Sequence, residues 1–287
     1  MLIASFKETE EIGRKVARAL KAEYTTIYAK DFPDSEFHVK LKANPRHKEI
    51  VIINSLANDP DEKIIETLLV GGIARDYGAK EVTLVATYFP YMRQDKHFEK
   101  FDSFSSKHII KLFNEFDKII AIDPHLHRIK KISQLSKNAK SISVNKLIVE
   151  YIKKNFKDDF EIIGPDHESV QWAQNIAKML KKNVIILKKT RFGDRKIRQK
   201  KRKFDKKPLI VIDDIISTGK TIAGVLEMAK KQGAKKLYCI GIHGILAGNA
   251  AQLIKRHAKL ITTNTIQNKY AKIDVSPIII EELKNKS

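Results

Sequence analysis

The segment Leu209-Ile210-Val211-Ile212-Asp213-Asp214-Ile215-Ile216-Ser217-Thr218-Gly219-Lys220-Thr221 constrains this chain's fold more than any other. Its four leading apolar residues predict a strand buried on both faces. Two adjacent carboxylates follow at the strand's end. Ser217 to Thr221 then leads into a helical pattern from Ile222 to Lys231. In an open α/β sheet, ligands bind in the crevice at the carboxyl ends of the strands. A small turn rich in hydroxyls and glycine, placed before a helix, offers backbone N–H groups to a phosphate. Two carboxylates beside it suit a sugar's vicinal hydroxyls, which are paired donors. The element therefore predicts a site for a phosphorylated sugar.

Gly219-Lys220-Thr221 ends like a P-loop. The first glycine of that motif would fall at position 214, which is aspartate, so the match fails. A carboxylate there would also repel a nucleotide's phosphates. The plain alternative is an ordinary strand–turn–helix with a good N-cap.

A faint repeat organises the whole chain. Gly78 to Ala86 and Gly233 to Gly241 both begin Gly-Ala-Lys, follow a helical stretch and continue as a strand. The helical stretches run from Asp61 to Tyr77 and from Lys220 to Gln232, and glycine at a helix C-terminus relieves the cost of left-handed backbone. Further strands are predicted at 49–54, 118–123, 160–164, 184–187 and 259–263, with helices at 9–20, 105–115, 144–155 and 168–181. Such alternation predicts an α/β fold of two similar domains, 1–143 and 144–287, each a mainly parallel sheet flanked by helices.

At 287 residues and 43% hydrophobic, the chain is long enough for two cores. No apolar stretch is long enough to span a bilayer. Met1 to Phe6 reads directly as a strand, without a basic region and apolar signal core. The single cysteine, Cys239, lies in a strand-like run and reads as a small buried hydrophobe. These features predict a cytoplasmic protein. The net charge of +21, from 55 Lys+Arg against 34 Asp+Glu, suits a nucleic acid or a polyanionic small substrate. Runs such as Lys178 to Lys182 read as solvated helix faces.

Four more segments set polar residues beside predicted strand ends. Asp31 to Phe37 carries an exposed aromatic, Phe32, with Asp34, Ser35 and Glu36, and suits stacking on a base or a plain solvent-facing turn. Tyr88 to Lys96 presents Arg93, Gln94 and Asp95, which suit phosphate and base. Asp123-Pro124-His125-Leu126-His127 suits a magnesium ion held mainly by water and substrate phosphates, and lacks zinc-type spacing. Gly164-Pro165-Asp166 again ends a strand, where Asp166 reads as a metal or ribose ligand or as a helix N-cap. Finally, Arg191 to Lys207 reads as a loop. It holds ten cationic side chains and two aspartates, which suits closure over a triphosphate. Only Phe192 and Phe204 are interleaved, so single-strand nucleic-acid binding is poorly supported.

Together these segments resemble one family, ribose-phosphate pyrophosphokinase, in the family's order over nearly the whole chain. Val211 to Thr221 is similar to its phosphoribosyl-diphosphate signature, and Tyr91 to Lys96 to its Arg-Gln-Asp ATP motif. Phe32 to Glu36 resembles its acidic element, Asp123-Pro124-His125 its Asp-Leu-His motif, Gly164 to Asp166 its pyrophosphate loop, and Lys189-Thr190-Arg191 its Lys-x-Arg pair.

The resemblance implies two phosphoribosyltransferase-like domains, the first for ATP and metal, the second for ribose 5-phosphate and the catalytic loop. Asp213 and Asp214 would hold the sugar's 2- and 3-hydroxyls. Ser217, Thr218, Gly219, Lys220 and Thr221 would cradle the 5-phosphate, with Arg191 as a further sugar-phosphate contact. ATP would lie against Arg93, Gln94, Asp95 and the element Phe32, Asp34, Ser35 and Glu36, contributed by a neighbouring subunit of a homo-oligomer. Mg²⁺ would bind at His125 and Asp166. Lys189 and Arg191 would be the catalytic cations. Neither a membrane nor a nucleic acid is an expected partner.

The chain departs from the family pattern at Ser217, where many relatives have aspartate, and at Lys220, Ser35, Pro124 and His127. A non-catalytic regulatory relative would be expected to lack Lys189 and Arg191, and both are present. A base phosphoribosyltransferase leaves the Arg-Gln-Asp and Asp-Pro-His segments unexplained. Nucleic-acid binding through the basic loop is the remaining alternative.

Overall fold

Runs of branched apolar residues, too short for core helices, form the central strands of two sheets. The structure is a computed structural model and describes residues 1–165, 170–186, 204 and 207–285. The chain divides into two compact units. One comprises Met1–Ser143, Thr265–Gln267 and Asp274–Ser287, and the other Val144–Asn264 and Asn268–Ile273.

The first unit begins β1 (Leu2–Ser5), α1 (Glu10–Leu20), β2 (Glu23–Asp31), β3 (Phe37–Leu41) and β4 (Glu49–Ser55). It continues α2 (Pro60–Asp76), β5 (Glu81–Tyr88), α3 (Ser105–Leu112), β6 (Lys118–Ile122) and β7 (Ala139–Ile142). The sheet order is β3-β2-β1-β4-β5-β6-β7. Every pairing is parallel except β2 with β3, an antiparallel hairpin. All four residues of β1 are buried, as a strand covered on both faces requires. Ile12, Val16 and Ala17 form the buried stripe of α1. Pro60, Asp61 and Glu62 open α2 with the residues that a helix N-terminus favours.

The hairpin corrects the expectation of strand–helix alternation throughout. β1 ends at Ser5 opposite Thr26, while β2 runs on through Ile27 to Asp31. At about 3.3 Å per residue, those five residues carry the hairpin roughly 17 Å past the carboxyl end of β1. Helix α3 also stops short of the expected Glu115. Phe113 and Phe116 are both buried in the first core, and the chain tightens into turns as Phe113 N–H donates to Ile110 and Phe116 N–H to Phe113. Phe116 packs over Gly71, where an added Cβ would lie 2.8 Å from its ring.

The second unit contains α4 (Asn145–Asn155), β8 (Glu161–Gly164), α5 (Val170–Met179), β9 (Val184–Ile186) and β10 (Leu209–Ile216). After these come α6 (Lys220–Lys231), β11 (Leu237–Gly244), α7 (Ala250–Lys255), β12 (Lys259–Thr263) and β13 (Ala271–Ile273). Its six strands lie in the order β13-β12-β11-β10-β8-β9, all parallel. The core gathers Val211, Cys239, Leu226, Ile254 and Leu260. Phe204 is buried in it and its N–H donates to Gln232, so this ring is core and offers no stacking surface. Lys207, at the end of the basic stretch, pairs with Asp159 at 2.7 Å. Hydrogen bonds from Lys182 and Lys207 lower the Asp159 pKa to about 2.

The last helix, α8 (Ser276–Lys284), returns to the first unit and packs on α1. Ion pairs Lys15–Asp274 at 2.9 Å and Lys140–Glu282 at 2.7 Å accompany it. Among the described residues, no helix is long and apolar enough to cross a membrane. Ile279 is fully buried in α8, and truncating such a side chain costs about 2–5 kcal/mol. Ile279→Ala is therefore expected to lower the urea midpoint of the first unit's unfolding with little change in slope.

Candidate active site

In the second unit, Asp213 and Asp214 lie inside β10 rather than after it, because the strand continues to Ile216. β8 pairs along its first residues and β11 along most of its length. Asp214 is 2% exposed and its N–H donates to Asp213 Oδ1 at 3.1 Å. The Asp213 charge reaches Cys239. Burial, and then that charge, hold the Cys239 thiol well above its ordinary pKa, which keeps it protonated and inert.

The turn after β10 has the predicted character. Ser217 and Thr221 are half-buried, Thr218 and Lys220 exposed, and Gly219 buried. Gly219 adopts φ 69° as the N-cap of α6. An added Cβ would lie 3.1 Å from the Ala250 carbonyl oxygen, so conformation and space both call for glycine. Leu246 N–H donates to Ile216 at 2.9 Å and Ala247 N–H to Ser217 at 3.1 Å, which braces the turn from the chain after β11. The first-turn N–H groups of α6 have no intrahelical acceptor, and the helix dipole adds positive potential there. The arrangement sets a hydroxyl-bearing turn and a helix start beside a carboxylate pair. His243, buried on β11 opposite Ile215, was not predicted. Its only sequence signal is one polar residue in an apolar run.

In the first unit, the hairpin tip holds Phe32, Asp34, Ser35 and Glu36, all exposed. Phe32 is 47% exposed and tilts against His38. The tip closes on itself: Phe32 N–H donates to Glu36 O at 2.6 Å, Ser35 N–H to Phe32 O at 3.0 Å, and Glu36 N–H to Asp34 Oδ1 at 3.2 Å. Ser35 sits at φ 70°, the left-handed region that favours glycine.

The other first-unit residues follow β5 and β6. Tyr91 adopts φ 63° and its hydroxyl hydrogen-bonds Asp61, which raises the phenol's pKa. Arg93 and Gln94 are exposed. Gln94 accepts from the Ser105 hydroxyl and, through its carbonyl, from Ser106 N–H. Asp95 differs from both, being buried with its two oxygens bonded to Arg128. Neither Arg128, Asp61 nor Ser105 was predicted, since each acts across loops with no local motif. Beyond β6, Asp123 and His125 are buried and His127 is exposed.

Lys189, Arg191 and Asp166 lie outside the described residues. Among the described residues, no group of three His, Cys, Asp or Glu side chains gathers into a metal cage. The carboxylate of Asp123 and the imidazole of His125, both buried beyond β6, are donors compatible with a magnesium ion that keeps most of its water.

Residues 131–277 match the phosphoribosyl transferase domain, which makes this a protein of the phosphoribosyltransferase class. Residues 1–116 match the N-terminal domain of ribose phosphate pyrophosphokinase. The ribose-phosphate pyrophosphokinase of Thermoplasma acidophilum is 28% identical, over 100% of this chain and 99% of that one. That of Methanopyrus kandleri is 28% identical over 100% of both. The phosphoribosylpyrophosphate synthetase of Mycobacterium smegmatis shares the fold, with a TM-score of 0.86 at 24% identity over 99% of this chain and 98% of that one. The chain belongs to the ribose-phosphate pyrophosphokinase family and is an enzyme.

Gly219→Ala is expected to destabilise the second unit by about 1–3 kcal/mol, from left-handed strain and the Ala250 contact. Ser35→Gly should act in the opposite sense, stabilising the hairpin by about 0.5–1 kcal/mol. Denaturant unfolding checks the first, and amide exchange across 28–40 the second.

Proposed function

We propose that the chain transfers the β,γ-diphosphate of ATP to the 1-hydroxyl of ribose 5-phosphate, giving 5-phosphoribosyl 1-diphosphate and AMP for nucleotide biosynthesis. The observation that carries this reading is the β10–α6 element: a carboxylate pair in the strand, then a braced hydroxyl turn at a helix start, within a chain of this family. Asp213 and Asp214 accept hydrogen bonds from the 2- and 3-hydroxyls. Ser217, Thr218, Gly219, Lys220 and Thr221 hold the 5-phosphate through N–H groups, hydroxyls and one ammonium. In this reading 144–287 is the sugar-phosphate side and 1–143 the ATP and metal side.

Arg93 and Gln94 bind ATP in the first unit. Phe32 supplies an exposed ring for adenine, with Asp34, Ser35 and Glu36 beside it. Because the hairpin reaches roughly 17 Å beyond β1 and its tip is tied by hydrogen bonds of its own, it suits donation to a neighbouring subunit of a homo-oligomer. His125 and Asp166 would hold Mg²⁺, which when bound shields phosphate charge. A cytoplasmic location suits this biosynthetic role.

The 1-hydroxyl oxygen attacks the β-phosphorus, the bond to the α,β-bridging oxygen breaks, AMP leaves and the hydroxyl proton is lost. Such transfers need alignment and charge stabilisation more than covalent help. The carboxylates fix the sugar so that its 1-hydroxyl faces the phosphorus. Lys189 and Arg191 bring positive charge to the transferred group.

³¹P NMR of the chain with ATP, Mg²⁺ and ribose 5-phosphate is expected to show AMP with a new sugar diphosphate. ADP with a sugar monophosphate ester would sink the proposal. Lys189→Ala should lower kcat by about 10²-fold or more with ATP affinity little changed, because its charge acts in the transition state. Asp214→Asn should instead raise the KM for ribose 5-phosphate about tenfold, by loss of a charge-assisted hydrogen bond.

A further inference from the structure

We propose that Asp95 and Arg128 form a latch that sets the ATP-binding side chains of the first unit, which makes Asp95 a positioning residue rather than an ATP ligand. The inference rests on the reading that Arg93 and Gln94 meet ATP and that His125 would help hold its magnesium. Those residues come from two loops, one after β5 and one after β6. The ladder between these strands ends at Ala86 opposite Ala121, so backbone pairing does not fix what lies beyond. The latch does. Arg128 Nη1 donates to Asp95 Oδ1 at 2.7 Å, and Arg128 N–H donates to Asp95 Oδ2 at 2.9 Å.

The Asp95 side chain is 1% exposed and that of Arg128 is 40% exposed. A buried carboxylate without a partner is strongly disfavoured, so burial drives the contact. It also commits both carboxylate oxygens, leaving the group badly placed to face ATP. A free carboxylate among phosphates would repel them; paired with a guanidinium, its charge is balanced. The guanidinium lies over the Phe98 ring at 5.6 Å, a second hold on the same loop. Gln94, the preceding residue, is seated at the start of α3 by Ser105 and Ser106. The chain carrying Arg93 and Gln94 is thus fixed from α3 and from the 123–128 loop.

The test is a double-mutant cycle on the full chain, using Asp95→Asn and Arg128→Ala, read by equilibrium dialysis of ATP and steady-state kinetics. Each single change is expected to raise the ATP dissociation constant about tenfold, since small misplacement of binding groups is costly. The KM for ribose 5-phosphate should stay within about twofold, and the double change should be no worse than the worse single one. Additive losses, a loss from Asp95→Asn alone, or unchanged ATP affinity would each overturn the latch. If Asp95→Asn fails to fold, the ATP dissociation constant of Arg128→Ala decides alone, because that side chain is partly exposed. Hydrogen exchange at the Arg128 amide gives a readout without catalysis: slow in wild type and faster in Asp95→Ala, while equal protection refutes the contact. A wild-type chain that binds ATP yet makes no sugar diphosphate refutes the functional reading, and the same dissociation constants still decide the latch. Failure of the wild type to bind ATP overturns both.

Discussion

Parallel pairing on both sides of β10 is the constraint on which the second unit depends. A strand hydrogen-bonded to β8 and β11 and covered on both faces must be apolar along its length. Leu209 to Ile212 meet that demand, and Asp213 and Asp214 break it. Two carboxylates in such a position are stable only if they have donors. In a parallel sheet the turns at the carboxyl ends all open on one edge, so the strand that holds the carboxylates also delivers the hydroxyl turn beside them. The carboxylate pair and the hydroxyl turn are neighbours because one strand and one helix start are neighbours.

Position and precision come from different parts of the first unit. Its sheet brings the loops after β5 and β6 side by side. Their final geometry comes from side chains that act across loops: Tyr91 to Asp61, Gln94 to the start of α3, and Asp95 to Arg128. Each of these groups spends its polar capacity on the protein. Of these groups only Asp95 is buried; Asp61, Gln94 and Arg128 make their contacts at the surface, beside the exposed Arg93.

Much of this was legible in sequence because strand and turn signals are local. Lys259–Thr263 appears as predicted, and the strands from Glu49, Lys118 and Val184 begin where their apolar runs do. Gly219 was readable as part of a turn before a helix, while its left-handed N-cap backbone was not. Harder to read were the features set by distant partners. β2 and β3 alternate too weakly to announce a hairpin, with β2 exposed along much of its length. β7, β13, α7 and α8 are short or depend on packing for their stability. The contact of Asp95 was out of reach of its local motif, because its partner, Arg128, lies thirty-three residues away. The turn strain at Ser35 is the reverse case, a residue whose departure from glycine was visible before its left-handed backbone was.

The return of α8 to the first unit bears on how the chain is made. Synthesis proceeds from the N-terminus, and domains tend to fold as they emerge. Here the strands of the first sheet are complete by Ile142, yet the helix that packs on α1 is not translated until Ser276 to Lys284. Every residue of the second sheet is made in between. On the ribosome, the first unit is therefore completed only after its successor has been made.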